Sequence, residues 1–254
     1  MSDDRSAPLV LSDAAEVPWH FLYRSAAVAA LMSIGLFLFQ MVAFFVWTPP
    51  STVAGHFALL QSRPLVGLVS LDLVIIVDEV LAIPICLALY LSLRSAHASV
   101  MLLATALNAV SVPCFLIATP ALNMLYLSRQ YAAAATATER EGFLAAGSAV
   151  LSSWMGTPYQ VGYVLGSLAM VFIGWVMLGS RRYSKFTAWM GIVAGGVGFG
   201  AYVPKVGVYI SILSVVAMQV WYALTALTLI RISRGPSRRL GENEGQTSER
   251  MLVR

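Results

Sequence analysis

Segment 64–93, PLVGLVSLDLVIIVDEVLAIPICLALYLSL, runs for thirty residues without a basic side chain, yet it carries three carboxylates, Asp72, Asp78 and Glu79. At about 1.5 Å per residue a helix of this length reaches roughly 45 Å, more than the about 30 Å hydrocarbon core of a bilayer. Such a run folds as a membrane-crossing helix, and Asp78 and Glu79 then fall near mid-depth. An Asp there costs about 3 kcal/mol on insertion scales. Intramembrane acids therefore face a bundle interior, find partners or bind protons, and they mark a candidate functional site.

Five further apolar runs surround this one. Spans are predicted at about 21–47, 64–93, 99–119, 158–179, 186–203 and 205–232, with an external connection over 120–157 that carries interfacial helices. Only 11% of the residues are charged and 59% are hydrophobic, with mean hydropathy +0.78, whereas soluble domains carry about 25% charged residues. The fold class is thus all-α, a polytopic transmembrane helical bundle of about six spans forming one domain, 21–232. The polar segment 1–20 lacks the basic start and apolar core of a cleaved secretory signal and is expected to be a cytoplasmic tail. The glycine-rich, charged segment 233–254 is expected to be a disordered cytoplasmic tail.

The net charge of +4 and pI near 9.2 reflect topology rather than nucleic-acid binding, because the basic residues flank apolar runs instead of interleaving with aromatics. With the N-terminus inside, twelve Lys and Arg fall on the cytoplasmic side, against Arg63, Arg129, Arg140 and Lys205 on the other. The positive-inside rule therefore places both termini in the cytoplasm of a multi-pass protein of the cell membrane, the inner membrane in a bacterium. The bilayer itself is the first expected partner.

Helical periodicity sorts the polar residues. Asp72 and Glu79, seven apart, share a face within about 20°, while Asp78 points about 100° from Glu79. Pro84 is expected to kink this helix near the acids. Asn108, at mid-depth in the third span, can offer both donor and acceptor to an acid on the preceding helix. In the fourth span Tyr159 and Tyr163 share a face, with Gln160 beside it, and they line either a vestibule or an interfacial aromatic belt with Trp154. Gln219 and Tyr222 are the corresponding polar residues of the sixth span, and Gln40 in the first suits an interhelical hydrogen bond. Glu139 and Glu141 read as solvated carboxylates on an external segment.

The fifth span contains GIVAGGVGFG, where Gly191 with Gly195 and Gly196 with Gly200 repeat the small-xxx-small spacing of close helix packing. This Gly191 to Gly200 face is a candidate homo-oligomer contact. It is not a nucleotide loop, since no strand precedes it and no G-x-x-x-x-G-K-[ST] is present. Cys86 and Cys114 form no C-x-x-C and read as buried apolar residues. With no HExxH, no paired histidines at metal spacing and no G-x-S-x-G, neither a metal site nor a cofactor is expected.

The stretches LALYLSLR at 87–94, GYVLGSLAMVFIGWVML at 162–178 and RRYSKFTAWMGIVAGG at 181–196, together with the order of spans, resemble a bacterial six-helix membrane family catalogued as a domain of unknown function, number 4386. The resemblance implies the six-span fold and topology and implies no activity. Three functions fit the residues. The first is transport or sensing of a proton, cation or amphiphile through the aligned carboxylates Asp72 and Glu79. The second is acid catalysis on a lipid or isoprenoid by the same acids, with aromatics stabilising a developing cation. The third is a scaffold or subunit assembled through its glycine face.

Overall fold

The computed structural model describes residues 19–199 and 207–234, with backbone alone over 207–212. The expected tails 1–20 and 233–254 lie almost wholly outside the described residues, as do the end of the fifth span, Gly200 and Lys205. The described residues are all helical, without a strand: α1 (His20–Val46), α2 (Val53–Ser62), α3 (Pro64–Val69), α4 (Leu73–Ala118), α5 (Ala121–Ala133), α6 (Ala137–Ser153), α7 (Thr157–Gly179), α8 (Lys185–Gly198) and α9 (Gly207–Ser233). Four helical stretches among them are long and apolar enough to cross a membrane, namely His20–Val46, Leu73–Ala133, Ala137–Gly179 and Leu213–Ser233.

Two layers result. The long helices close a ring in which α1 packs on α4 and α9, α4 on α7, α7 on α8, and α8 on α9. Their core is built from small and large residues in alternation, such as Ala26 and Ala30 of α1 against Leu89 of α4 and Leu229 of α9. At one end sits a cap of α2, α3, α5 and α6, whose own core includes Phe57, Leu60, Leu71 and Met124. The opposite end holds His20, whose Nδ1 lies 3.0 Å from the Ser233 carbonyl, and Tyr183, whose hydroxyl lies 2.8 Å from Ser92 Oγ. Burial pushes the Tyr183 phenol up to about 12.

Local chemistry sets the helix ends. Thr52 and Ser184 accept backbone N–H bonds from Gly55 and Thr187, and Thr136 with Glu139 forms a capping box. Glu139, expected to be merely solvated, thus holds the start of α6. Pro64 and Pro158 sit in first turns, where a missing N–H costs nothing.

The expected helix over 64–93 is interrupted. It is divided at Ser70, Leu71 and Asp72, and Asp72 adopts the left-handed conformation (φ 62°, ψ 31°) before α4 begins at Leu73. Beyond that point α4 runs for 46 residues, accommodating both Pro84 and Pro113, and its non-helical backbone lies at His97 (φ −158°, ψ 83°). Breaks at Asp72 and His97 bound the limb that carries Pro84. At His97 the chain turns back, giving α4 two limbs, and His97 packs on Trp175 of α7 with ring centroids 5.5 Å apart.

The glycines of α8 face inward. A Cβ at Gly195 would lie 2.5 Å from the Ser167 carbonyl oxygen of α7, and one at Gly191 would lie 2.8 Å from Trp221 Nε1 of α9. Gly191 and Gly195 thus serve contacts inside the chain, while Gly196 is open, with nothing within 4 Å of a Cβ there.

Candidate functional site

The left-handed turn separates acids that helical periodicity had grouped. Asp72 stands outside α4, and its carboxylate accepts a bond of 3.1 Å from Trp154 Nε1, at the junction of cap and bundle. This position precedes the membrane-crossing stretch that opens at Leu73. Burial raises the Asp72 carboxyl to about 6, with the indole N–H pulling the other way. Nearby, Gln40 Nε2 donates to the Val69 carbonyl at 3.1 Å, the interhelical bond its position suggested. Asp72 and Glu79 therefore do not form one site.

Asp78 and Glu79 lie two turns into α4, half-buried in the bundle. The Ser33 side chain of α1 lies beside the Asp78 carboxyl, and the Glu79 carboxyl is close enough for the two acids to repel. From α9, the buried Tyr222 phenol stands within electrostatic range of Asp78, Glu79 and Cys86. Ser33 is 2% exposed. Ser33 Oγ and the Asp78 carboxyl face each other without closing to full hydrogen-bond geometry, and Gln219 Oε1 and Thr225 Oγ1, each one turn from Tyr222, are buried without a partner. A buried polar atom left unpaired costs about 1–3 kcal/mol, and several such atoms here point to a group that completes them.

Below the acids, a cavity of about 50 Å³ lies among α4, α7 and α9, bounded by Cys86, Asn108, Gly166, Trp221 and Tyr222. Tyr222 joins the acids to this cavity. Asn108, expected as the direct partner of an acid, instead occupies the cavity wall together with Cys86. The same two residues border a larger cleft of about 350 Å³ between the limbs of α4, lined by Ile83, Leu87, Thr105, Ala109, Val112 and Pro113 among others. The limb pairing follows from the turn: Cys86 and Asn108 are each eleven residues from His97, so both lie about 16 Å from the reversal.

The remaining expected site residues gather elsewhere. Tyr159 meets Phe115 edge-on with centroids 5.3 Å apart and stacks along Tyr163 at 6.2 Å, while Gln160 Nε2 donates to the Met155 carbonyl. The Tyr163 hydroxyl donates to the Gly198 carbonyl at 3.1 Å, close to Ser167 and Ser214. These residues tie α7 to its neighbours at the cap end. Cys86 is a buried free thiol and Cys114 a half-buried one. Among the described residues no three His, Cys, Asp or Glu side chains converge as a metal-ligand set.

Ser33 and Trp221 were absent from the residues singled out by sequence, and Cys86 was read there only as a buried apolar residue. A signal for Ser33 does exist: Ala26, Ala30 and Ser33 form a small-residue stripe along α1, and such a stripe marks close helix contact. Trp221 has no comparable signal, because its value comes from a cavity built by three separate helices.

Fold and site together define an all-helical protein with apolar helices of membrane-crossing length and an acid pair inside the bundle. Comparison with protein-family models, characterised proteins and solved structures gives no match.

Proposed function

We propose that this chain is a multi-pass protein of the cell membrane that crosses the bilayer six times with both ends cytoplasmic, and that Asp78 and Glu79 form a proton- or cation-binding site for transport or sensing. Six crossings follow if the two limbs of α4 count separately and α8 completes a hairpin with α9. The exposed basic residues support the orientation: Arg24, Arg94, Arg181, Arg182, Lys185 and Arg231 cluster at the end opposite the cap, whereas Arg63, Arg129 and Arg140 lie on the cap.

The observation that carries the site is the pair of adjacent acids beside Tyr222, faced by the buried Ser33 hydroxyl and with Gln219 Oε1 buried and unpaired on the neighbouring helix. In hydrocarbon no bulk water can complete such groups. A proton, a cation or the polar head of a ligand does so, and its arrival or departure changes the energy of the packed ring. The binding event is thereby coupled to conformation.

Infrared difference spectra across pH test this reading in purified wild type, Asp78→Asn, Glu79→Gln and Asp72→Asn. A carboxyl band that follows pH and disappears in Asp78→Asn or Glu79→Gln, but persists in Asp72→Asn, is expected. If neither substitution at 78 or 79 removes such a band, the acids have no proton-binding role. A second reading, acid catalysis on a lipid or isoprenoid, is favoured by the cleft that opens toward the bilayer next to Cys86 and Asn108. The scaffold reading is weaker, since Gly191 and Gly195 are already engaged within the chain.

A further inference from the structure

Resting on the acid-pair reading, we infer that the cleft between the two limbs of α4 admits the single hydrocarbon chain of a membrane amphiphile, whose cationic ammonium head reaches past Asn108 and Tyr222 to Asp78 and Glu79. Three observations carry this assignment. The cleft, about 350 Å³, is of ligand size and almost wholly apolar in lining, and Ile83 and Leu87 on its rim are 45% and 43% exposed. It lies midway along both limbs of α4, where only lipid or protein can touch it.

Cleft and inner cavity also meet at a shared wall. Cys86 and Asn108 border both, so a group entering from the bilayer meets these two side chains between the cleft and the cavity that Tyr222 lines. Ala109 lines the cleft and Ala82 the inner cavity, small side chains on either side of that shared wall.

Charge selects the head. Stretches 71–93, 98–118, 157–179 and 213–230 contain no Lys, Arg or His, so nothing basic from α4, α7 or α9 faces the two carboxyls at this depth. From α1, the stretch 25–47 adds Ser33 and Gln40 and no charge. An ammonium supplies the missing positive charge, and the Trp221 and Tyr222 rings beside the cavity offer it π faces. A neutral alcohol gains neither interaction, and a sulfate head is repelled.

Binding to a protonated acid is an exchange. The carboxyl O–H bond breaks, its proton leaves for bulk water, and ammonium N–H groups bond to the resulting carboxylate. Charge inside the protein is unchanged, which is why the exchange is feasible in hydrocarbon while simple ionisation is not.

The test uses the full chain in phosphatidylcholine nanodiscs with dodecylammonium as probe, and with dodecanol and methylammonium as probes lacking head charge and chain respectively. Equilibrium dialysis against empty nanodiscs measures binding, and calorimetry in two buffers of different ionisation enthalpy counts released protons. Saturable binding of dodecylammonium alone, with proton release, is expected. Glu79→Gln or Asp78→Asn should abolish the release and weaken binding at least about tenfold. Ala109→Trp, or Ile83→Trp if the first does not fold, should weaken binding about tenfold while leaving the infrared carboxyl band in place. Equal binding of dodecanol, or full binding by both cleft variants, overturns the assignment. Loss of the infrared band from wild type instead overturns the acid-pair reading itself. A titrating band with no dodecylammonium binding defeats only the amphiphile.

Discussion

The close approach of α7 and α8 makes Gly195→Ala a quantitative test of the packing that holds α9 and its Tyr222 in place. The added methyl would lie 2.5 Å from the Ser167 carbonyl oxygen, 2.9 Å from Val171 Cγ2 and 3.1 Å from the Val171 amide nitrogen. Carbon rarely approaches a carbonyl oxygen closer than about 3.3 Å, so the two backbones must part by roughly 0.8 Å. Two of the three contacts are to backbone, and no side-chain rotation relieves them. Overpacking of this kind costs about 1–3 kcal/mol, while replacing Gly by Ala in a helix returns up to about 1 kcal/mol. Gly196→Ala receives the propensity gain alone, since its Cβ meets nothing within 4 Å. The two variants should therefore differ by about 1–3 kcal/mol, with Gly195→Ala the less stable. Thermal or denaturant unfolding of both, in one detergent and followed by circular dichroism, measures the difference. Equal stabilities, or a more stable Gly195→Ala, would refute the claim that this glycine is required by a backbone contact.

Two further outcomes follow from the ends of the bundle. The folded-state value of Asp72 is raised from 3.8 to about 6, so the folded protein holds this proton more tightly than the unfolded chain. The associated stability is complete below pH 3.8 and is lost as pH rises through about 6. Asp72→Asn keeps a residue that tolerates φ 62° and an oxygen for Trp154 Nε1, so it should flatten this part of the unfolding profile. His56, buried in the cap with its value lowered by desolvation, acts with the opposite sign, and the pH dependence that remains in Asp72→Asn isolates it. Tyr183→Phe removes the 2.8 Å bond to Ser92 but leaves Ser92 bonded to the Leu89 carbonyl. A loss of about 1 kcal/mol in unfolding free energy is expected, with proton binding at the acids unchanged in infrared spectra.

The sequence by itself determined the class of fold. Runs of twenty or more apolar residues in a chain with so few charges can satisfy their backbone in hydrocarbon only as helices, and this constraint acts locally, residue by residue. The fourth span, read as 158–179, accordingly matches the helix Thr157–Gly179, and helices are present over the connection 120–157 as α5 and α6. Cost at depth also singled out Asp78 and Glu79 without any tertiary information.

Tertiary structure decided which polar groups meet. A single left-handed residue at Asp72 breaks the helical phase, so the seven-residue spacing to Glu79 no longer places the two on one face. The turn at His97 sets Asn108 opposite Cys86, and ring closure brings Ser33 and Tyr222 to the acids from helices more than forty residues away on one side and more than a hundred on the other. Such contacts depend on helix rotation and depth summed over several turns. Periodicity within one segment fixes its apolar face; the neighbour that this face meets is chosen by the close packing of all the helices together.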